Sequence, residues 1–204
     1  MLRYLLDPAN AITASGMILS GVALSLVTDG RIELAVAVAL WAMLADHLDG
    51  IVARRIRNRS EAAATMGKSL DGFSDLIYGA VFPSIALLQL HGVTLLSAAV
   101  GTTLLVAGAL RLSYFGITGL STDRCFTGLP LSYDVPILAL LVLAEPFVQQ
   151  PLFSWLLPGT FATLAALHVS SIRVPAPTRS MYIAIVLFSV AASAALSIRA
   201  LFFA

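Results

Sequence analysis

Seven runs of mostly apolar residues dominate the sequence, and each is close to the length that crosses a lipid bilayer. A spanning helix needs about 20 such residues, and only helices and closed barrels satisfy all their backbone hydrogen bonds inside a bilayer. No segment alternates as barrel strands do. The sequence therefore predicts an all-α, polytopic transmembrane helix bundle in a single domain, residues 1–204. The predicted spans are residues 10–28, 32–54, 70–91, 93–115, 130–148, 152–171 and 180–203.

The composition is that of a chain surrounded by membrane lipid, and it argues against other classes of protein. Hydrophobic residues make up 59% of the chain and charged residues only 11%, whereas soluble domains carry about 25% charged residues. Disorder requires low hydrophobicity and high net charge, and neither holds here. The net charge of +1 gives no reason to predict a nucleic-acid partner. The lipid bilayer is the partner that the composition predicts.

The distribution of basic residues predicts the orientation of the bundle, because cytoplasmic loops collect Lys and Arg. With the N-terminus inside, ten of the twelve basic residues fall on the cytoplasmic side, and only Arg31 and Arg199 fall on the opposite side. The sequence thus predicts a cytoplasmic N-terminus, seven spans and an outside C-terminus. The short amphipathic segment before Asn10 is expected to lie in the membrane interface as a short helix.

Four aspartates form two pairs at helical spacing, Asp46 with Asp49 and Asp71 with Asp75. The members of each pair share a helix face. The first pair closes the second span and the second pair opens the third, so both should lie near the cytoplasmic side. Solvated helix ends would explain one such pair, but four clustered anions near a membrane favour a bound cation. Carboxylate oxygens suit hard divalent ions, and two ions could clamp a diphosphate. We therefore predict a site for two divalent ions, Mg²⁺ or Mn²⁺.

The residues around these aspartates resemble the signature of the CDP-alcohol phosphotransferase (CDP-alcohol phosphatidyltransferase) family, D-x-x-D-G-x-x-A-R followed by G-x-x-x-D-x-x-x-D. Every fixed position is filled, although the spacer from Arg54 to Gly67 is longer than is usual in the family. The family fold implies six core helices, here residues 8–175, so that residues 180–203 form an extra seventh span. The matching segments are Asp46-His-Leu-Asp49-Gly50-Ile-Val-Ala53-Arg54 and Gly67-Lys-Ser-Leu-Asp71-Gly-Phe-Ser-Asp75.

The resemblance implies a role for each matching residue. The aspartates would hold the metal ions, and Asp75 would also act as the catalytic general base. Asn10 and Thr13 are similar to an N-terminal N-x-x-T feature of the family near the nucleotide, although they could simply cap the first helix. The predicted metal ligands are Asp46, Asp49, Asp71 and Asp75, and the predicted nucleotide-binding residues are Asn10, Thr13, Gly50, Ala53, Arg54 and Gly67.

Further segments resemble the membrane-embedded phosphatidylserine synthases of bacteria, which implies CDP-diacylglycerol as donor, L-serine as acceptor and the bacterial inner membrane as location. Gly72 and the stretch 132–134 depart from those enzymes and leave other acceptors open: inositol phosphate, glycerol phosphate or choline. Arg111 and Arg124 are candidate acceptor-binding residues, because an arginine fork binds carboxylates well. Ordinary positive-inside topology explains them equally well. The loop arginines Arg55, Arg57 and Arg59 could serve a phosphorylated acceptor or simply contact headgroups.

Two further interpretations come with this prediction. A cation-coupled transporter also keeps aspartates near one membrane face, but that class does not explain Gly50, Ala53, Arg54 and Gly67. The seventh span has no ionisable residue between Arg179 and Arg199, so we interpret it as a packing element and predict a homodimer. His91 and His168 have no partner at the sequence spacing of a metal site.

Overall fold

The computed structural model describes residues 1–202, and the prediction of an all-α bundle is confirmed. Most of the chain is helical, and short 3₁₀ turns stand at Leu2–Leu6, Leu131–Tyr133 and Glu145–Phe147. The N-terminal turn, Leu2–Leu6, corresponds to the predicted interfacial helix. The helices are α1 (Pro8–Thr28), α2 (Ile32–Ala53), α3 (Glu61–Leu76), α4 (Phe82–His91), α5 (Leu95–Thr118), α6 (Asp134–Ala144), α7 (Gln150–His168) and α8 (Arg179–Phe202).

A π-helical turn, Ile77–Val81, joins α3 to α4 without interruption, so that residues 61–91 form one helix of 31 residues. The helix that contains the third span therefore begins nine residues before the predicted start of that span at residue 70. A hydropathy pattern does not reveal the first turns of this helix, because they are polar. The N-cap residue does indicate where the helix begins: the Ser60 side chain accepts a hydrogen bond from the Ala63 amide at 3.2 Å.

Five helices in the described part of the chain are long and apolar enough to cross a membrane: α1, α2, the continuous α3–α4 helix, α5 and α8. The predicted span at residues 130–148 is a shorter helix than expected. Its α-helical part, α6, has only 11 residues, and 3₁₀ turns extend it at both ends. Pro130 and Pro146 stand at these two turns, where the missing amide of proline is tolerated better than inside a helix.

Helix α2 lies at the centre of the bundle, packed against α1 along its length and against α8 and α6. Large side chains that are fully buried fill the space between the central helices. Glycines such as Gly16 and Gly79 allow close approach. A methyl group added at Gly16 would lie 3.2 Å from Ala45 Cβ, and one added at Gly79 would lie 2.7 Å from Leu131 Cβ. The largest buried side chains include Leu40, Met43, Tyr78, Phe82 and Phe161.

Different contacts hold the elements together at the two ends of the bundle. At one end, strands β1 (Cys125–Thr127) and β2 (Arg173–Pro175) form an antiparallel ribbon that ties the α5–α6 loop to the α7–α8 loop. The sequence analysis did not predict this ribbon. At the opposite end, Arg199 donates to Glu33 at 2.9 Å and to Glu145 at 3.3 Å, which ties α8 to α2 and to the end of α6. The aspartate pairs lie toward the ribbon end.

Candidate active site

Three of the four predicted aspartates converge where α2 faces α3. One carboxylate oxygen from each of Asp46, Asp49 and Asp71 lies within 4.8 Å of the other two, a group that could hold a metal ion. Asp49 is buried, with 4% of its surface exposed, and it accepts a hydrogen bond from the Thr13 hydroxyl of α1. Three helices therefore fix the positions of these carboxylates.

Asp75 joins this group through a residue that the sequence analysis did not single out. The Tyr78 hydroxyl lies 2.6 Å from Asp75 Oδ1 and 3.0 Å from Asp46 Oδ2. Tyr78 is fully buried and belongs to the π-helical turn, a distortion that is frequent at functional sites. A phenol has one proton to donate, so the two carboxyl groups compete for it. Tyr78 thereby links the fourth aspartate to the first.

The carboxylate group fits a hard divalent cation. Asp46 Oδ1 is buried and has no hydrogen-bond partner within residues 1–202, and an unpaired buried carboxylate oxygen is costly. Clustered oxygen ligands of this kind are those that Mg²⁺ and Mn²⁺ prefer. The predicted ligands Asp46, Asp49 and Asp71 can therefore share one ion, and Asp75 stands beside them.

The predicted nucleotide residues lie on the α1, α2 and α3 ends near this group. Arg54 follows the end of α2 and is exposed, and its Nη1 lies 3.7 Å from the place where a side chain at Gly50 would begin. Ala53 is the last residue of α2. Gly67 is buried at the end of the second turn of α3, where it contacts Asn10. Their binding of a nucleotide stays a prediction.

Arg111 lines a cavity of about 410 Å³ between α5, β1 and the end of α7. Arg111 is buried, its Nε has no hydrogen-bond partner within residues 1–202, and its guanidinium stacks 5.3 Å from the ring of Phe115. Arg124, the other predicted acceptor residue, is exposed on a turn with a positive φ of 56° and does not line this cavity. The other lining residues are Leu110, Tyr114, Thr127, His168, Val169, Ser170 and Ser171.

His168, one of the residues that line this cavity, forms a buried pair with Asp134. His168 Nε2 lies 2.9 Å from Asp134 Oδ2, and His168 Nδ1 lies 2.9 Å from the Leu129 carbonyl oxygen, which can only accept. Nδ1 must therefore carry a proton, and one further proton is shared with Asp134. The pair is neutral in either arrangement. Its two residues are 34 positions apart in the sequence, so no short motif indicates their contact.

Comparison with known protein families agrees with this geometry. The model of the family described as CDP-alcohol phosphatidyltransferase matches residues 6–203, nearly the whole chain. The chain belongs to this family. With its five membrane-capable helices, this CDP-alcohol phosphatidyltransferase family member is an integral membrane protein, and the family assignment made from the aspartate motif is confirmed.

Curated relatives of this family member are named for different acceptors. The phosphatidylcholine synthase of Brucella melitensis is 27% identical over 82% of the chain and 58% of the relative. The CDP-diacylglycerol–serine O-phosphatidyltransferase of Bacillus subtilis is 33% identical over 71% of the chain and 76% of the relative. The archaetidylserine synthase of Methanothermobacter thermautotrophicus is 32% identical over 72% and 60%. The chain thus spans less than two thirds of the first and third relatives.

Proposed function

We propose that this protein transfers a phosphatidyl group from CDP-diacylglycerol to the hydroxyl group of L-serine and releases CMP, a step of phospholipid biosynthesis. The observation that carries the proposal is the convergence of Asp46, Asp49 and Asp71 beside Asp75 on membrane helices. Such a group suits divalent ions, which could in turn bind a charged diphosphate at the bilayer surface, better than it suits helix packing. Family membership supports the same chemistry.

Asp75 is the proposed general base. It removes the proton from the acceptor hydroxyl, the alcohol oxygen attacks the lipid-side phosphorus, and the bond from that phosphorus to the bridging oxygen breaks as CMP leaves. Two divalent ions, Mg²⁺ or Mn²⁺, held by the four aspartates would neutralise the diphosphate charge. Tyr78 holds the Asp75 carboxylate in place. Arg54, Gly50, Ala53 and the N-terminal ends of α1 and α3 would bind the nucleotide. Positioning and charge neutralisation then account for most of the catalysis.

The cavity lined by Arg111 is the proposed acceptor site. Serine carries a carboxylate, and the buried guanidinium of Arg111 is the charged group that the cavity offers. The Asp134–His168 pair is neutral and adds no net charge there, so the cavity suits an anionic or zwitterionic acceptor. Choline, a cation, is the second candidate, because two of the relatives are named phosphatidylcholine synthases.

The proposed location is the bacterial inner membrane, with the ribbon end of the bundle and the active site in the cytoplasm. The donor lipid then enters sideways from the inner leaflet. We also propose a homodimer, in which α8 supplies lipid-facing surface for packing. Both proposals come from the basic-residue distribution and the apolar seventh span.

One assay tests the reaction and the acceptor together. Purified protein is incubated with CDP-diacylglycerol and Mn²⁺, and CMP release is measured with serine, choline, inositol phosphate or glycerol phosphate. We expect release with serine and none after metal chelation. Asp75→Asn should abolish release while the thermal midpoint in detergent stays close to that of the wild type. Turnover in that variant contradicts the assigned base, and cation flux in liposomes without CMP release favours a transporter instead.

A further inference from the structure

One of the three arginines in the loop after Arg54 differs from the others in its surroundings. Arg55 and Arg57 are exposed, whereas the side chain of Arg59 is only 17% exposed. Arg59 lies within the Arg54–Gly67 spacer, the part of the signature that is longer than usual. Its environment is therefore that of an ordered contact rather than that of a solvated loop cation.

Arg59 binds two residues at the start of α1. Its Nε donates to Asp7 Oδ2 at 3.2 Å, and its Nη2 lies 3.1 Å from Asp7 Oδ1. The same Nη2 donates to Asn10 Oδ1 at 2.6 Å. The side-chain nitrogen of Asn10, Nδ2, donates in turn to the carbonyl oxygens of Tyr4 at 3.0 Å and Ala63 at 3.1 Å. Every polar atom of the Asn10 side chain is thus engaged within the protein, and Asn10 is fully buried.

The side chains of Arg59 and Asn10 both pack against Gly67. A side-chain carbon at Gly67 would lie 2.5 Å from Arg59 Nη2 and would also collide with Asn10 Oδ1. Only a glycine leaves room for both groups. The contact fixes the start of α1 against α3 one helical turn before Asp71. One turn further along α1, Thr13 bonds to Asp49, so α1 contacts both aspartate-bearing helices.

We infer that Arg59 is a positioning residue of the nucleotide site. It holds the start of α1 on Gly67 and so sets the distance between the helix ends that would enclose the cytidine diphosphate. The inference rests on the proposed function, in which that nucleotide binds between these ends. Arg59 does not touch the reacting atoms, so its loss should weaken donor binding and leave the chemical step nearly intact.

The test compares Arg59→Gln with Arg57→Gln, which changes an exposed arginine of the same loop. Initial rates of CMP release are measured against CDP-diacylglycerol concentration in mixed micelles. Loss of a charged hydrogen-bonded pair corresponds to about tenfold or more in binding. We therefore expect a KM for CDP-diacylglycerol raised by that factor in Arg59→Gln, with little change in kcat, and an unchanged KM in Arg57→Gln. Arg59→Lys, which keeps the charge near Asp7, should restore part of the loss.

Two outcomes overturn the inference. An unchanged KM in Arg59→Gln shows that the contact is merely structural, and a lowered KM shows that Arg59 blocks the nucleotide rather than positioning its site. If Arg59→Gln does not fold, Asp7→Asn removes the ion pair from the other side, leaves the hydrogen bond from Arg59 to Asn10 in place, and should raise KM by a smaller factor. Failure of the proposed function is separate, because the wild-type protein would then release no CMP with any acceptor.

Discussion

At the scale of single residues, Tyr78 connects the two halves of the aspartate motif. Its hydroxyl contacts both Asp46 and Asp75, and it is fully buried. Groups that hydrogen-bond to metal ligands commonly lower metal affinity or activity by about 10–100-fold when they are removed. Tyr78 therefore belongs to the site, although it lies outside the signature.

Replacing Tyr78 with Phe removes this hydroxyl and preserves the ring that fills the core. We expect the Mn²⁺ concentration for half-maximal CMP release to rise about 10–100-fold, the effect typical of losing such a contact. A metal titration at saturating donor measures it. Tyr4→Phe is the control, since the Tyr4 hydroxyl contacts Arg3 at the exposed N-terminus. Equal metal requirements in both variants would contradict the role given to Tyr78.

Some contacts between side chains could be predicted from the sequence, and others could not. Helical spacing alone places Asp46 beside Asp49 and Asp71 beside Asp75, because i, i+3 and i, i+4 neighbours share a face. The contact between His168 and Asp134 depends on how two distant helices meet, so spacing cannot reveal it. Arg59 looks like its neighbours Arg55 and Arg57 in the sequence, and only the position of Asp7 distinguishes it.

At the scale of elements, the close approach of the π-helical turn to the segment before α6 depends on Gly79. A methyl group there would lie 2.7 Å from Leu131 Cβ and 3.1 Å from the Leu131 carbonyl oxygen. The backbone oxygen cannot move aside as a flexible side-chain end could. Gly108 of α5 meets the same leucine, with an added carbon 3.1 Å from Leu131 Cδ2. Leu131 is therefore enclosed by glycines from two helices.

Gly79→Ala should destabilise the protein by about 1–3 kcal/mol, the usual cost of overpacking a core. The thermal midpoint in detergent is the measurement. Gly159→Ala on α7 is the matched control, since nothing lies within 4 Å of its added carbon and alanine favours a helix over glycine by about 0.5–1 kcal/mol. A Gly79→Ala midpoint equal to or above that of Gly159→Ala would show that Leu131 can withdraw.

The boundaries of the elements were predictable only where hydropathy changes at the helix end. Helices α1 and α2 begin and end within two residues of the predicted spans. Helix α3 does not, because its first eight residues include Glu61, Lys68 and exposed alanines outside the apolar core. Each strand of the β1–β2 ribbon has only three residues, which is too short for an alternating pattern to be recognised. The pairing of the strands depends on where α5 and α7 end and where α6 and α8 begin.

At the scale of the whole molecule, the orientation in the membrane is a prediction that the single cysteine can test. Cys125 lies at the ribbon end, which is predicted to be cytoplasmic, and Asp29 lies in the exposed loop at the other end. A membrane-impermeant maleimide applied to intact cells should leave Cys125 unlabelled until the membrane is permeabilised.

The variant Cys125→Ser/Asp29→Cys moves the thiol to the opposite end and should label in intact cells. Labelling of both proteins after denaturation shows that both thiols are intact. The reverse pattern would place the aspartates outside and would remove the cytoplasmic CDP-linked donor from the proposed reaction.

The length of the continuous helix over residues 61–91 limits how deep in the membrane the proposed chemistry could take place. At 1.5 Å per residue, its 31 residues extend over about 46 Å, whereas the hydrocarbon layer is only about 30 Å thick. The 16 residues from Leu76 to His91, which follow Asp75, account for about 24 Å of that length. With His91 at the far boundary of that layer, Asp75 would lie about 6 Å inside the near boundary. A donor lipid could keep both tails among its neighbours throughout the reaction, so the new phospholipid would be formed already in place in its leaflet.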